Sequence, residues 1–410
     1  MAAAARAKPL RVVVATRIFT PDRAAAAFRL QALVSALADR GSWVEVLTAR
    51  AAPDSADESV LVSDDLRIRR WPVLRDSSGY VRGYLPYASF DVPLALRLLL
   101  ARRPELVVVE PPPTTGAVVR AVTTVISAMP GRPTPYVYYA ADVWSDASES
   151  TGAPEAVVQI VRRLEQFALK GAAEVIAVSD GVAERVRELG ARSVHVVPNG
   201  IDTDIFCVDD PTPHEARSAG EGLGIPEGPF LLYAGTASEW QGAEIFARAM
   251  RAVIEQVPSA RLVFLGQGSS WPALQQIADE LPTGVIELRP LVGPPEAAAW
   301  HRAAAGAVVS VKPGLGYDFA YPTKVLAALA CGTPVVYAGP GPAAADITDN
   351  NLGAAVTYDV ESVASAMAAA LVADVDLPGR HRRAQWVHDH RSIEATGRAA
   401  AAVVLSVMGR

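Results

Sequence analysis

A proline, a threonine and a lysine open a predicted helix in the segment 314–336, which runs from one apolar strand through that helix to another. The residues are Pro322, Thr323 and Lys324, preceded by Tyr321. Proline suits the first helical turn, where its missing N–H costs nothing. The free amides of that turn, the positive end of the helix dipole and the Lys324 ammonium predict a phosphate site. The alternative is that Lys324 is a solvated surface lysine.

Small residues follow two predicted strands of the same half of the chain. Gly235 and Thr236 follow one strand, Gly266 and Gly268 follow the next, and Gln241 lies in the turn after the first. In doubly wound sheets ligands bind outside the carboxyl ends of the strands. These turns are therefore expected to approach the same ligand, although a lone Gly-x-Gly is weak support because tight turns of any function use it.

Three charged residues of the first half follow predicted strands. Glu110 and Asp142 come directly after buried strands, and Arg29 lies in the helix after the first strand. A carboxylate at a strand end can orient or deprotonate an acceptor hydroxyl, so both are candidate catalytic residues. Arg29 is a candidate acceptor or phosphate contact. The alternatives are a helix cap or an arginine partner for each carboxylate, and a surface salt bridge for Arg29.

Length and composition limit what the chain can be. At 410 residues, half of them apolar, it exceeds the size of one hydrophobic core, so two domains are expected. The formal charge of -6 argues against a nucleic-acid binder. The only cysteines, Cys207 and Cys331, lack metal-type spacing and predict neither a zinc site nor a disulfide framework. We expect a cytoplasmic protein without a transmembrane helix, and a peripheral membrane contact stays open.

Short β-branched strands alternate with helical stretches along the chain, which predicts parallel sheets covered by helices. One series of strands is expected at 10–15, 43–47, 67–71, 106–109, 135–139, 175–178 and 194–197, and a second at 230–234, 261–265, 285–288, 306–311, 334–337 and 353–357. The predicted organisation is an N-terminal Rossmann-like domain (1–206), a linker (207–228), a C-terminal Rossmann-like domain (229–378) and a helical tail (379–410). The tail either returns to the first domain or caps the second.

The string VVPNGIDTDIF, residues 196–206, resembles the hinge motif of retaining glycosyltransferases of family 4. Further landmarks of that family appear in order at 19–21 with Arg29, and at 41–48, 177–181 and 331–336. The resemblance implies the GT-B architecture, an α/β fold of two facing Rossmann-like domains with an interdomain cleft and a C-terminal helix crossing back. It also implies a nucleotide-diphosphate sugar donor bound mainly by the C-terminal domain (229–378), an acceptor bound mainly by the N-terminal domain (1–206), and transfer without an essential metal or other cofactor.

Departures from that family fall at the donor site. The family's two sugar-holding glutamates align with Phe319 and Ala327, and Asp318 beside the first is a candidate replacement. The usual diphosphate-clamping arginine and lysine align with Thr236 and Gln241. The residues YAGT at 233–236, with Gln241-Gly242 and Pro322-Thr-Lys324, instead resemble the N-acetylfucosamine-transferase branch of polysaccharide assembly.

The resemblance therefore implies transfer of a hexose or N-acetylhexosamine from a nucleotide-diphosphate donor, with a UDP-sugar favoured, to a glycan, lipid-linked or small-molecule acceptor. One alternative is a transferase acting on inositol phosphate. Another is a non-catalytic protein that binds a nucleotide sugar. A nicotinamide-dependent oxidoreductase is set aside because residues 15–27, after the first strand, contain no glycine.

Overall fold

The computed structural model describes residues 9–22, 25–51, 65–75, 81, 84–100, 102–150, 153–209, 223–315, 317–374 and 376–409. The chain divides into two compact units. The first consists of Met1–Asn199 together with Ile393–Arg410, and the second of Gly200–Ser392.

The first unit is built on a parallel sheet of seven strands in the order β3-β2-β1-β4-β5-β6-β7. The runs of valine and tyrosine in its central strands are buried on both faces, as a sheet covered by helices requires. The strands are β1 (Arg11–Ala15), β2 (Trp43–Ala49), β3 (Leu66–Trp71), β4 (Leu106–Val109), β5 (Tyr136–Ala140), β6 (Glu174–Ala177) and β7 (Val194–Val196).

Helices cover both faces of this sheet. In chain order the described helices of the first unit before residue 200 are α1 (Ala25–Asp39), α2 (Tyr84–Leu100), α3 (Pro113–Ala128), α4 (Trp144–Ser150), α5 (Glu155–Gly171) and α6 (Asp180–Glu188). The core on one face includes residues of α2, α3, α5 and α6. The core on the other face joins α1 to residues 400–405 near the end of the chain.

The second unit is a parallel sheet of six strands in the order β10-β9-β8-β11-β12-β13. Its strands are β8 (Leu231–Thr236), β9 (Leu262–Gln267), β10 (Ile286–Pro290), β11 (Gly306–Ser310), β12 (Val335–Ala338) and β13 (Gly353–Val356). Its described helices are α7 (Glu244–Gln256), α8 (Trp271–Asp279), α9 (Pro294–Ala303), α10 (Thr323–Ala330), α11 (Pro342–Asp349), α12 (Val360–Val372) and α13 (Leu377–Arg391). The α/β fold class and its parallel sheets are confirmed, and every strand lies within two residues of its predicted position.

The boundaries between the units differ from the predicted ranges. The first unit ends at Asn199, upstream of the predicted boundary at Phe206, because residues 200–206 already belong to the second unit. The chain passes between the units twice, after Asn199 and after Ser392. These two places lie close together, since the Ile201 amide donates to the Arg391 carbonyl at 2.8 Å. Residues 210–222 of the predicted linker lie outside the described residues.

The predicted helical tail divides between the units. Helix α13 packs against α10 and stays in the second unit, whereas the last helix, α14 (Ile393–Ser406), packs against α1 in the first unit. Gly397 permits this packing, because a Cβ atom there would lie 2.6 Å from the Ala32 carbonyl oxygen. Across the stretches of chain that the structure describes, no helix is both long enough and apolar enough to cross a membrane.

Candidate functional site

Each sheet has a topological switch point, where chain connections leave in opposite directions from neighbouring strands. The switch point lies between β1 and β4 in the first unit and between β8 and β11 in the second. In open α/β sheets, ligands bind outside the carboxyl ends of the strands at such points. Thr16 and Glu110 directly follow β1 and β4, and Gly235 lies at the end of β8. Glu110 and Gly235 therefore lie at strand ends that border these switch points, and their ligand contacts stay predictions.

In the second unit, Lys324 lies against the turn that ends β8. A Cβ atom on Gly235 would lie 3.1 Å from Cε and 3.6 Å from Nζ of Lys324, and the Nζ atom lies 5.4 Å from the centroid of the Tyr233 ring. Burial lowers the pKa of Lys324 to about 8. No carboxylate among the described residues forms an ion pair with it. The charge of this half-buried ammonium is therefore not neutralised by any carboxylate among the described residues.

Helix α10 presents its first turn beside this ammonium. Its N-cap is Pro322, which has no side chain that accepts a hydrogen bond, so no side chain caps the helix. The Val325 amide donates to the Pro322 carbonyl at 3.0 Å, while the Thr323 and Lys324 amides precede the first intrahelical acceptors. All residues from Val325 to Ala330 are buried, which fixes the helix in the core. The turn thus offers donors and a dipole on a rigid element.

The structure explains several predicted donor residues by local packing. A Cβ on Gly266 would lie 2.0 Å from the Gly235 carbonyl oxygen, so Gly266 is required for strand packing. Gln241 Oε1 accepts from the Ser238 amide at 2.9 Å and holds the turn after β8. Asp318 is exposed, and its Oδ1 accepts from the Gly314 amide at 3.1 Å. Ligand contacts by Gly266, Gln241 and Asp318 stay predictions, as does one by the exposed Thr236.

Sequence reasoning missed an aromatic pair next to this site. The rings of Trp240 and Tyr317 stack with centroids 4.9 Å apart and planes at 26°. The Lys312 amide donates to the Trp240 carbonyl at 2.9 Å, which fastens the turn after β8 to the end of β11. Single aromatic residues in two loops carry no periodic signal, so only the fold shows that they meet. Tyr321 lies farther into the structure, with the Arg391 guanidinium 5.0 Å from its ring centroid.

In the first unit, Arg29 and Glu110 form a buried ion pair. Arg29 Nη1 also donates to Asn199 Oδ1 at 2.9 Å, and Thr16 Oγ1 donates to Glu110 Oε2 at 3.2 Å. Burial acts to lower the pKa of Arg29, but the Glu110 carboxylate and nearby groups more than offset this, and the pKa is raised. Arg29 is therefore not a surface residue, and Glu110 takes the arginine-partner role that the sequence left open.

Asp142 follows β5 and its side chain is exposed, whereas Glu110 is buried. The surrounding protein partly desolvates its carboxyl and raises its pKa; the positive charge of Arg29 opposes this shift, and Glu110 adds to it. The next helix, α4, is fixed to α5 at its start, because Glu165 of α5 accepts hydrogen bonds from the amides of Trp144 at 2.8 Å and Ser145 at 3.1 Å. Asp142 is thus the more accessible carboxylate of the two predicted ones.

A second buried charge cluster of the first unit was not predicted. The Arg17 guanidinium lies 4.3 Å from the centroid of the Tyr87 ring and donates to the Val81 carbonyl at 2.9 Å. Asp91 accepts from Thr115 Oγ1 at 2.6 Å, and burial raises the pKa of Asp91. A cavity of about 290 Å³ lies between α2, α3 and α5, and Asp91 is the one charged residue in its lining.

Metal ligands were also considered. In the parts of the chain that the structure describes, no group of three or more His, Cys, Asp or Glu residues is placed to hold a metal ion. The two cysteines are free thiols.

Two family profiles match the chain, one for each unit. Residues 24–200 match a glycosyl transferase 4-like domain, and residues 228–373 match glycosyl transferases group 1.

Among curated proteins, the chain is similar to a D-inositol 3-phosphate glycosyltransferase of Xylanimonas cellulosilytica, with 35% identity over 42% of this chain and 43% of the relative. It is also similar to an alpha-maltose-1-phosphate synthase of Mycolicibacterium smegmatis, with 29% identity over 56% of this chain and 64% of the relative. The matched region spans less than two thirds of either relative.

Among solved structures, the fold is similar to sucrose-phosphate synthase from Thermosynechococcus elongatus, with a TM-score of 0.67, 16% identity and coverage of 98% of this chain and 99% of that one. It is similar to an Anabaena protein in complex with UDP-glucose, with a TM-score of 0.62, 14% identity and coverage of 97% and 100%. At these identities, the likeness concerns the fold.

Proposed function

We propose that this chain, which carries a glycosyltransferase 4-like domain and a glycosyltransferases group 1 domain in the GT-B fold, transfers a sugar from a nucleotide-diphosphate donor. The observation that carries this proposal is the Lys324 ammonium. It is half-buried, lies beside Gly235 and the uncapped start of α10, and has no carboxylate partner among the described residues. A diphosphate supplies the negative charge that this arrangement lacks.

In the proposed reaction, the second unit stabilises the leaving group. As the bond between the sugar and the diphosphate breaks, negative charge builds up on the diphosphate oxygens. The Lys324 ammonium and the Thr323 and Lys324 amides face this charge from a fixed helix, so they need no reorganisation during the reaction. The turn at Gly235 brings backbone close to the phosphates without a side chain between them.

The first unit binds the acceptor in this proposal. Asp142 accepts a proton from the attacking hydroxyl, and the raised pKa of its carboxyl makes it a better base than an ordinary aspartate. Glu110 holds Arg29, so its role is to position the guanidinium for an acceptor oxygen rather than to touch the reacting hydroxyl.

For the donor we favour a UDP-sugar, carrying a hexose or an N-acetylhexosamine and transferred with retention of configuration. The Anabaena protein of similar fold was solved with UDP-glucose. Retention and the N-acetylfucosamine-type specificity rest on the sequence resemblance alone, and no protein nucleophile or essential metal is assigned. We place the reaction in the cytoplasm.

For the acceptor, the names of the relatives favour a phosphorylated small molecule such as inositol phosphate. This is the second candidate function, beside transfer to a glycan or a lipid-linked acceptor. Because Glu110 neutralises Arg29, a phosphate group on the acceptor needs a further cation, and our candidate is the buried Arg17, whose charge also interacts with that of Glu110.

The experiment is a thermal-shift screen of the purified chain against uridine, guanosine and adenosine diphosphate sugars, followed by a nucleotide-release assay with inositol phosphate and with a lipid-linked sugar. We expect one nucleotide class to raise the melting temperature and to be turned over. Binding without turnover for every acceptor would support the non-catalytic alternative. No shift with any nucleotide sugar would refute the donor site.

A further inference from the structure

Tyr321 directly precedes helix α10, whose first turn carries the amides and the lysine of the proposed donor site. The residue between them, Pro322, is the N-cap and has no side chain that could hold the start of the helix by a hydrogen bond. The Tyr321 side chain is half-buried and packs against the apolar core that contains Val325 and Leu329 of α10. A binding group keeps its geometry only where the side chains around it are themselves fixed. The position of Tyr321 therefore helps to decide where the first turn of α10 lies.

Arg391, the last residue of α13, lies against the ring of Tyr321. Its guanidinium carbon is 5.0 Å from the centroid of the Tyr321 ring and 5.8 Å from that of the Trp386 ring. Its Nη2 atom donates to Oδ2 of Asp346, a residue of α11, at 2.7 Å. A cation over an aromatic face is attracted to it, and more strongly where water is excluded. The carboxylate of α11 thus fixes the guanidinium, and the guanidinium holds the ring that precedes α10.

The backbone of Arg391 is joined to the segment of chain that enters the second unit. The Ile201 amide donates to the Arg391 carbonyl at 2.8 Å, and Ile201 forms an isolated parallel β-bridge with Ser392, the last residue of that unit. Ile201 and Tyr321 also pack against the same apolar core. Arg391 therefore connects three segments: the entering chain through its carbonyl, α11 through its guanidinium, and the start of α10 through the ring of Tyr321.

The ion pair of Arg391 with Asp346 differs from a surface pair in its burial. Its side chains are 16% and 24% exposed, whereas those of the surface pair of Arg251 and Glu280 are 68% and 55% exposed. Because the cost of desolvating two charges offsets much of their attraction, a buried pair is a weak source of stability. The clearer effect of this pair is to fix the guanidinium in one place beside the ring of Tyr321.

We propose that Arg391 is a positioning residue for the donor site. By holding the Tyr321 ring, it keeps the Thr323 amide and the Lys324 ammonium in the geometry that receives the diphosphate. Arg391 itself touches neither the donor nor the reacting atoms. This inference rests on the proposed function, because it concerns the same turn of α10 that binds the donor there.

The test is isothermal titration calorimetry of the full chain and its Arg391→Met variant with UDP-glucose, or with the nucleotide sugar that the thermal-shift screen selects in its place. We expect the dissociation constant to rise roughly tenfold, within the range for loss of a desolvated contact between a cation and an aromatic ring. Arg391→Lys keeps a positive charge between the ring and the carboxylate and should restore most of the affinity. The matched control is Arg382→Met, which removes an exposed arginine of the same helix and should bind like the unchanged chain.

A double-mutant cycle shows whether Arg391 acts through Tyr321. Tyr321→Leu removes the ring, keeps an apolar side chain against the core, and should also weaken donor binding. If the guanidinium acts through this ring, Arg391→Met should weaken binding little further in a chain that already carries Tyr321→Leu. Independent effects, in which the two fold-changes multiply, would overturn the assigned route.

Urea unfolding of the same variants separates positioning from a structural role. A merely structural arginine would lower the midpoint of unfolding and leave the dissociation constant of the folded protein unchanged, and that result would overturn the proposal. An Arg391→Lys variant that binds as weakly as Arg391→Met would overturn it too. If the unchanged chain bound none of the nucleotide sugars of the screen, the proposed function would fail and this inference with it. Normal binding by both the unchanged chain and Arg391→Met would overturn this inference alone.

Discussion

Replacing Lys324 by methionine tests the donor site, because the pH response of binding then has a predicted size. With its pKa lowered to about 8, Lys324 is mostly charged at neutral pH and mostly neutral one pH unit above 8. If only the charged form binds the diphosphate well, the affinity for UDP-glucose falls about tenfold between pH 7 and pH 9. UDP-glucose has no phosphate group that titrates in this window, and comparison with Lys324→Met separates the response of the lysine from that of the uracil N3–H, which begins to ionise at its alkaline end.

In Lys324→Met, this pH response should disappear and the affinity at neutral pH should fall roughly 10- to 100-fold, the range expected for one charge-assisted contact. Isothermal titration calorimetry at a series of pH values measures both effects. Lys170→Met is the control, since it removes an exposed lysine of α5 in the other unit. Equal affinity and an equal pH response in Lys324→Met and the unchanged chain would refute the phosphate role.

Whereas Lys324→Met should lower the affinity for the donor, it should raise the stability of the folded chain. The folded pKa of Lys324 lies below its ordinary value of 10.5, so the charged form costs stability at neutral pH, and the cost declines as the pH rises from about 8 to 10.5. Lys324→Met should therefore raise the free energy of unfolding by roughly 1–3 kcal/mol at neutral pH, a range reduced for the partial exposure of the side chain. A variant that lost both binding and stability would indicate a merely structural lysine.

Three further substitutions test the remaining site residues. Glu110→Gln leaves the buried Arg29 without its counter-charge and should lower the free energy of unfolding by about 2–4 kcal/mol in urea titrations; a change near zero would show that the pair is not buried in solution. Gly235→Ala places a methyl group 3.1 Å from Lys324 Cε on a backbone with a φ of 113°, and should weaken UDP-glucose binding at least about tenfold; unchanged calorimetric affinity would contradict the close approach. Asp142 must be ionised to accept a proton, so the rate falls as the pH drops through its raised pKa; Asp142→Asn should lower kcat/KM by about 10²–10⁴ and remove that acidic limb, and a retained limb would assign it to another group.

The fold followed from the sequence because each buried parallel strand leaves a continuous β-branched run. The run Val12-Val13-Val14 and the run Val107-Val108-Val109 are paired neighbours in the sheet, and both were predicted as strands. The division between the units was predicted at Phe206, the end of the hinge motif at 196–206, whereas the first unit ends at Asn199 within that motif. The exposed side of helix α2 was not predicted either, because its buried leucines and its exposed leucines together form one apolar stretch of sequence.

The positions of Gly235, Glu110 and Asp142 near strand ends, and of Lys324 in the first turn of a helix, were predictable from the sequence, while their ligand contacts stay predictions. The partners were not predictable. Glu110 and Arg29 are 81 positions apart, so the sequence alone could not show that they contact each other rather than solvent or a ligand. The same holds for two other groups, the aromatic pair of Trp240 and Tyr317 and the charged residues Arg17 and Asp91. Their members are distant in the sequence, and no local pattern predicts that they lie close together.

The return of helix α14 to the first unit has a consequence for the order of events during synthesis. Ala400, Ala401, Val404 and Leu405 belong to the same core as β1 and α1, but they are translated only after the whole second unit. During synthesis, all residues of the second unit therefore leave the ribosome before those of α14. At that stage the apolar face of α1 in the first unit is still uncovered. Domains usually fold in the order of their synthesis. In this chain the first unit to be made is the last to be completed, so a stop codon after Ser392 would spare the second unit and leave the first prone to aggregation.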